Sequence, residues 1–220
     1  MFRTSTEEEI SAIFEEIGHK FLFDWFITNN KGQDNPYHNN IHAFCVVNLV
    51  NLYCLAEKLP QNERICLLIA ALFHDFNHSG GILSDRLNVL IAMMRLKFAV
   101  RINNLGKGNK ITDYERDYIL QLISSTEYPY KPIHNQFLRV LREADILSYE
   151  HENWHEHVFK GICEEKGLDI SDNEEELLNR LLEFHEKLID EEIKLPFFKE
   201  FVDKNLKEFE NDLRNHCILS

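Results

Sequence analysis

With 44% hydrophobic residues and 16 phenylalanines in 220 positions the chain can build a sizeable core, and with 8 glycines and 5 prolines it is short of the turn residues an all-β fold needs. A formal charge of −13, from 37 acidic against 24 basic residues, opposes binding to duplex nucleic acid, although divalent cations would let such a protein hold a small phosphate. Five cysteines without a CxxC pair, an acidic amphipathic N-terminus and no apolar run of membrane-spanning length predict a cytoplasmic protein with neither disulfide framework nor membrane partner.

Along the chain, Ser5 and Glu8 have capping-box spacing ahead of Ile10, Ile13, Phe14, Ile17 and Phe21, which recur as on a core-facing helix. The turn-rich loop NNKGQDNPY (29–37) follows, and Pro36 predicts a new helix with His38 in or near its first turn. An apolar stretch over 41–59 ends at Pro60. The next helix carries ICLLIAALF, apolar on every side as a buried helix is, and terminates in His74 and Asp75. SDRLNVLIAMMRLKFAV (84–100) leads into the connector NNLGKGNK, whose GKG lacks the spacing of a phosphate loop. Thr112 and Glu115 form a second capping box, YPYKP a turn, FLRVLREADILSYE (137–150) a helix, Ser171 and Glu174 a further cap, and PFFKEFVDKNLKEF (196–209) the closing helix. The expectation is all-α, a single domain over 1–220.

The chemistry concentrates in a few positions. His38 and His42 are four apart, as are His74 and His78 with Asp75 between them, and such spacing on a helix puts both rings on one face. An ionisable pair at the end of a buried helix must be paired, altered in protonation or bound to metal. Asp145, in an apolar-periodic segment, raises the same demand and could complete a ligand set. Each residue alone has an ordinary structural reading as a cap or satisfied core group; together they predict a metal site of imidazole and carboxylate.

Through YHNNIHA (37–43), ALFHDFNHSGG (71–81) and EADILS (143–148) the sequence resembles the HD-domain phosphohydrolases, and within them the class I cyclic-nucleotide phosphodiesterases. The resemblance implies a compact HD-domain, phosphodiesterase-like helical bundle. It implies that His42, His74, Asp75 and Asp145 hold a first divalent cation (Zn²⁺, Mn²⁺ or Fe²⁺), with Asp75 bridging to a second (Mg²⁺ or Mn²⁺). His38 would be the general acid, a hydroxide shared by the cations the nucleophile, and His78 and Thr126 would lie near the second cation or the substrate phosphate. The implied substrate is a small nucleotide, a cyclic mononucleotide or cyclic oligonucleotide. A phosphomonoesterase or triphosphohydrolase, and a non-catalytic nucleotide-binding module, are the alternatives; oligomeric state is not legible.

Three features depart from that family's pattern. Cys45 stands where its members carry Asp, the Glu-Asn-His-His segment is not recognisable after HDFNH, and no Gln follows Gln136 to recognise a purine. Phe197, Phe198 or Phe201 could stack on a base, although such spacing more often marks core. HENWH (151–155) matches the HExxH pattern of zinc proteases, but a solvated His and Glu face accounts for it.

Overall fold

The computed structural model describes residues 3–150, 152–171 and 173–204. Its elements are α1 (Glu7–Glu16), α2 (Lys20–Asn29), α3 (Asn40–Ala56), α4 (Gln61–Phe73), α5 (Asp85–Leu105), α6 (Asp113–Ser124), α7 (Gln136–Leu147), α8 (Lys160–Glu165) and α9 (Glu174–Glu192), with helical residues again over 196–204. A 3₁₀ turn spans Lys31–Asp34, another Ser148–Glu150, and a π-helical segment Trp154–Phe159. The architecture is all-α, and the described residues contain no strand.

The fold is organised around α4. From Cys66 to Phe73 every side chain is buried, so this helix needs apolar neighbours on all sides, and α3, α6 and α7 supply them. Helix α3 is nearly as apolar, burying His42 to Val47 and then Leu49, Val50, Tyr53 and Cys54. Phenylalanines from three segments close one end: Phe26, Phe73 and Phe76 meet with ring centroids 5.4 to 5.7 Å apart, and Trp25 stacks on Phe76. Phe198 is fully buried against Tyr53, with Phe197 on both, which makes this pair core rather than a base platform. A smaller apolar cluster, Tyr37, Trp154, Val158, Phe159, Cys163 and Leu178, joins the His38 loop to α8 and α9.

Three local expectations are corrected. The first capping box is Thr6 with Glu9, one residue beyond Ser5 and Glu8, which brings Ile10 and Phe14 onto the core. Ser171 does not cap α9: it bonds to the Asp169 carboxylate, and α9 starts from Asn173 without a side-chain cap. Helix α3 does not begin at Pro36: Asn39 caps it by accepting the Ile41 N–H at 2.8 Å, so Pro36 to His38 form the turn in front of it and His38 lies near the first helical turn, not in it. The Thr112 and Glu115 box is present as expected.

Candidate active site

The loop before α3 is held against the turn after α4. Asn30 accepts the Asn77 N–H at 2.9 Å, Asn77 accepts the Lys31 N–H at 2.6 Å, and the Asn35 amide donates to both the His38 and His78 carbonyls at 3.2 and 2.7 Å. Gly32 is in the seam, where a Cβ would come within 3.3 Å of the His78 backbone. Asn77 adopts φ of +60°, a left-handed conformation that Asn tolerates better than most residues, and the chain thereby leaves the helical path after His74. The result superimposes the two histidine motifs in space although neither His38 nor His78 is on a helix.

Four donors then converge. His42 on the first turn of α3 and His74 at the end of α4 bring their Nε2 atoms to 3.0 Å. Asp75 Oδ2 is 3.2 Å from each, and Asp145 Oδ1, on the last turn of α7, is 3.2 Å from His42 and 3.5 Å from His74. The imidazoles are 2% and 0% exposed and form the floor; the carboxylates, 15% and 19% exposed, open to a cleft. Asp145 is therefore not the buried carboxylate of its segment. Glu143 is, fully enclosed and accepting the Leu195 N–H.

The outer nitrogens settle how the rings present themselves. His74 Nδ1 is 2.8 Å from the Ala71 carbonyl, which only an N–H can satisfy, so Nε2 is the nitrogen that faces inward and would offer its lone pair to a bound cation. His42 Nδ1 is 3.1 Å from both Tyr37 Oη and Ser148 Oγ. Ser148 gives its single proton to the Asp145 carbonyl, leaving its oxygen to accept from His42 Nδ1. Two inward-facing imidazole nitrogens, once a cation displaces their protons, and two carboxylates make a donor set suited to a divalent cation of the zinc, manganese or iron type. Burial disfavours charge on His74, but Asp75 and Asp145 outweigh it and raise its pKa well above the usual imidazole value. Burial likewise opposes ionisation of Asp145, yet His42 and His74 hold it down at about 2.

A second cluster, His38, His78 and Glu165, flanks the first. The Glu165 carboxylate accepts from His38 Nδ1 at 2.6 Å and from the backbone N–H groups of His38 and Tyr37 at 2.8 and 3.0 Å. Burial works against its charge, and these donors bring its pKa to about 2. His38 stacks on His78 with centroids 3.8 Å apart. His78 is tied through Nδ1 to the Gly80 N–H and through Nε2 to the Asn88 amide, so it stands as a fixed wall behind His38, and burial depresses its pKa to about 4. Thr126 is buried at the cleft and donates to the Ile123 carbonyl.

The cleft encloses about 290 Å³, close to the lower bound of small-molecule sites, roughly 300 Å³. Besides the residues above it is lined by Asp85, Tyr128, Tyr130, Phe184, Leu181 and Leu188. Asp85 on the first turn of α5 accepts the Tyr128 N–H at 2.5 Å; burial pushes its carboxyl up to about 6, with Asp75 and Asp145 adding to the shift.

Sequence reasoning missed Glu165, Asp85, Tyr37 and Ser148. Tyr37 and Ser148 lie inside the motifs already singled out and could have been found as partners for His42. Glu165 sits in an ordinary EEK stretch 127 residues from its partner, with no local signal. Cys45 is buried in the core with its thiol pushed up to about 12, and the residues that orient His42 are Tyr37 and Ser148 instead. In HENWH, His151 lies outside the described residues, and the segment runs through a turn into the π-helical stretch, with His155 bonded to Glu174.

Parts of this chain are similar to known proteins. Residues 37–82 match the family model described as 3'5'-cyclic nucleotide phosphodiesterase. The human "High affinity cGMP-specific 3',5'-cyclic phosphodiesterase 9A" is 33% identical over 85 residues, 37% of this chain and 14% of that protein. The Drosophila melanogaster "Dual specificity calcium/calmodulin-dependent 3',5'-cyclic nucleotide phosphodiesterase 1" is 43% identical over 51 residues, 21% of this chain and 6% of that protein. These matches thus span a small part of the relatives' own length. Among solved structures, the phosphodiesterase domain of the RhoPDE fusion protein from the choanoflagellate Salpingoeca rosetta aligns over 98% of this chain and 95% of its own, with a TM-score of 0.64 at 19% identity, which establishes a shared helical fold.

Proposed function

We propose that this chain, a class I cyclic-nucleotide phosphodiesterase-like HD-domain protein, hydrolyses a small cyclic nucleotide with the help of divalent cations held by His42, His74, Asp75 and Asp145. The observation that carries the reading is the convergence of those four donors beside a His38–Glu165 pair at one cleft.

Divalent cations in such a site neutralise phosphoryl oxygens and acidify water toward a pKa of about 7. The residues of the chain supply the rest. Glu165 engages His38 Nδ1 and so leaves Nε2 as the nitrogen that can deliver a proton to the departing ester oxygen. Stacking on His78, itself locked at both nitrogens, fixes the plane of that ring. Asp75, which reaches the imidazole floor and also faces the cleft, would be the ligand shared by two cations. Asp85, at the same cleft, would accept hydrogen bonds from water around a second divalent cation. Tyr128, Tyr130 and Phe184 offer aromatic surface for a nucleobase without any Gln, as the missing C-terminal Gln requires.

The test is turnover of a panel of cyclic and linear nucleotides by the Mn²⁺-loaded protein, with Asp75→Ala as control. Opening of a cyclic substrate by the wild type and not by the variant is expected. Hydrolysis of linear nucleotides alone selects a phosphomonoesterase or triphosphohydrolase, and tight nucleotide binding without turnover selects a binding module.

A further inference from the structure

Helix α5 has two apolar faces. Val89, Ala92, Leu96, Ala99 and Val100 are buried on the inner one. On the outer one Leu87, Leu90, Met94, Phe98 and Leu105 recur at spacings of three, four, four and seven, and they stand in solvent, Met94 at 61%, Phe98 at 52% and Leu105 at 78% exposure. The Phe98 ring continues the stripe to Trp25 of α2, with centroids 6.2 Å apart. At 21 residues the helix is about 31 Å long. Ordinary monomers seldom expose so continuous an apolar strip.

The charge around the stripe is opposite to that of the rest of the chain. Between Asp85 and Asp113 there is no acidic residue, while Arg86, Arg95, Lys97, Arg101, Lys107 and Lys110 all fall there, in a protein of formal charge −13. Helical geometry sets Arg86 and Lys97 on one flank of the stripe, Arg95 on the other and Arg101 in line with it. All four are exposed, and none is ion-paired with a carboxylate among the described residues.

We propose that the outer face of α5 is a docking surface for an anionic lipid bilayer, lying in the headgroup region with the Leu, Met and Phe side chains inserted and the basic side chains on the lipid phosphates. Long basic side chains flanking an apolar strip can reach outward to headgroups while their stems stay in the apolar layer. A second copy of the chain is disfavoured as occupant because antiparallel α5 stripes would bring the same basic flanks together. Nucleic acid would leave the apolar strip unused. No helix among the described residues is long and apolar enough to cross a membrane, and this surface requires none, since α5 would rest on the bilayer. Docking would hold the rim of the cleft, at Leu83 and Asp85, beside the lipid surface.

The experiment is co-sedimentation of the full chain with vesicles of phosphatidylcholine alone and of phosphatidylcholine with phosphatidylserine. It compares the wild type, Met94→Glu/Phe98→Glu and Arg95→Gln/Lys97→Gln/Arg101→Gln, each checked for helicity by circular dichroism. All five side chains are exposed, so both variants are expected to keep the fold. Binding is expected only to the phosphatidylserine vesicles, weakened about a hundredfold by loss of three charges at roughly fivefold each, and abolished by the two glutamates. Three results would overturn the proposal: no wild-type binding, equal binding to both vesicle types, or a dimer in sedimentation that Met94→Glu/Phe98→Glu dissociates. Capture of a synthetic acidic amphipathic peptide of residues 174–192 without vesicle binding would overturn it too, by assigning the face to a protein helix.

Discussion

Five histidines, His38, His42, His74, His78 and His185, divide into three kinds by what their nitrogens meet. His42 and His74 turn Nε2 toward the Asp75 carboxylate, His38 is held by Glu165, and His78 and His185 are enclosed with depressed pKa values of about 4. His185 is buried beside Tyr149 and its Nε2 donates to the Ile146 carbonyl at 3.3 Å, so it is held neutral in the folded protein. Its folded pKa lies below the unfolded value of 6.5, so the unfolded chain binds the extra proton first. The associated stability is fully present above pH 6.5 and is lost as pH falls toward 4, by up to about 3 kcal/mol. His185→Gln, which can still donate to Ile146, is expected to narrow the stability difference between pH 7 and pH 4.5 by about 2 kcal/mol relative to wild type, as read from urea unfolding. An unchanged difference would place the acid lability elsewhere, with His78 the next residue to replace.

At the scale of elements, a short helix carries a remote residue into the site. Helix α8 delivers Glu165 to His38 only because two glycines let backbones touch: a Cβ on Gly161 would lie 2.8 Å from the Pro36 carbonyl oxygen, and one on Gly81 would lie 2.1 Å from that of Glu165. Neither contact can be relieved by moving a side chain. Gly81→Ala is therefore expected to push the end of α8 from the His38 loop, at a cost of about 1 to 3 kcal/mol in stability. Turnover should fall by at least about tenfold if His38 needs its carboxylate, while bound Mn²⁺, measured by mass spectrometry, stays as in wild type. Glu165→Gln should reproduce the loss of rate, with a stability cost that comes from the lost charge and not from displacement of α8. Wild-type turnover in both variants would remove Glu165 from the proposed machinery. The element boundaries themselves were readable where a capping box stands alone, as at Thr112, and unreliable where several candidates adjoin, as at Ser5 and Thr6, or where an Asn caps without a box, as at Asn39.

For the whole molecule, the four converging donors come from α3, from α4 with the residue following its cap, and from α7, so an ion bound there ties together the helices that build the core. Ligand binding to the folded state alone adds about 4 kcal/mol at a thousand times Kd. For a chain of this size that corresponds to a rise in Tm of roughly 8 to 16 °C. Thermal unfolding in a chelator and in graded Mn²⁺ should show this rise, and Asp145→Ala should flatten it. A Tm indifferent to Mn²⁺ in the wild type would mean that the cluster holds protons rather than a cation.

The class of fold and the floor of the site were written locally. An apolar run such as ICLLIAALF has to be enclosed on every side whatever its neighbours are, and His74 and Asp75 at its end had to find partners there. HDFNH and YHNNIHA likewise mark His38, His42, His74, Asp75 and His78 as chemistry-bearing by sequence alone. What the linear pattern misassigned was how those residues combine: helical spacing paired His38 with His42 and His74 with His78, whereas the two turns joined by Asn30, Asn35 and Asn77 pair His38 with His78 and His42 with His74. Glu165 and Asp85 were invisible for a related reason. A carboxylate acquires a role from the donors and charges that other segments bring to it, and those separations of 127 and 43 residues are closed only by tertiary packing.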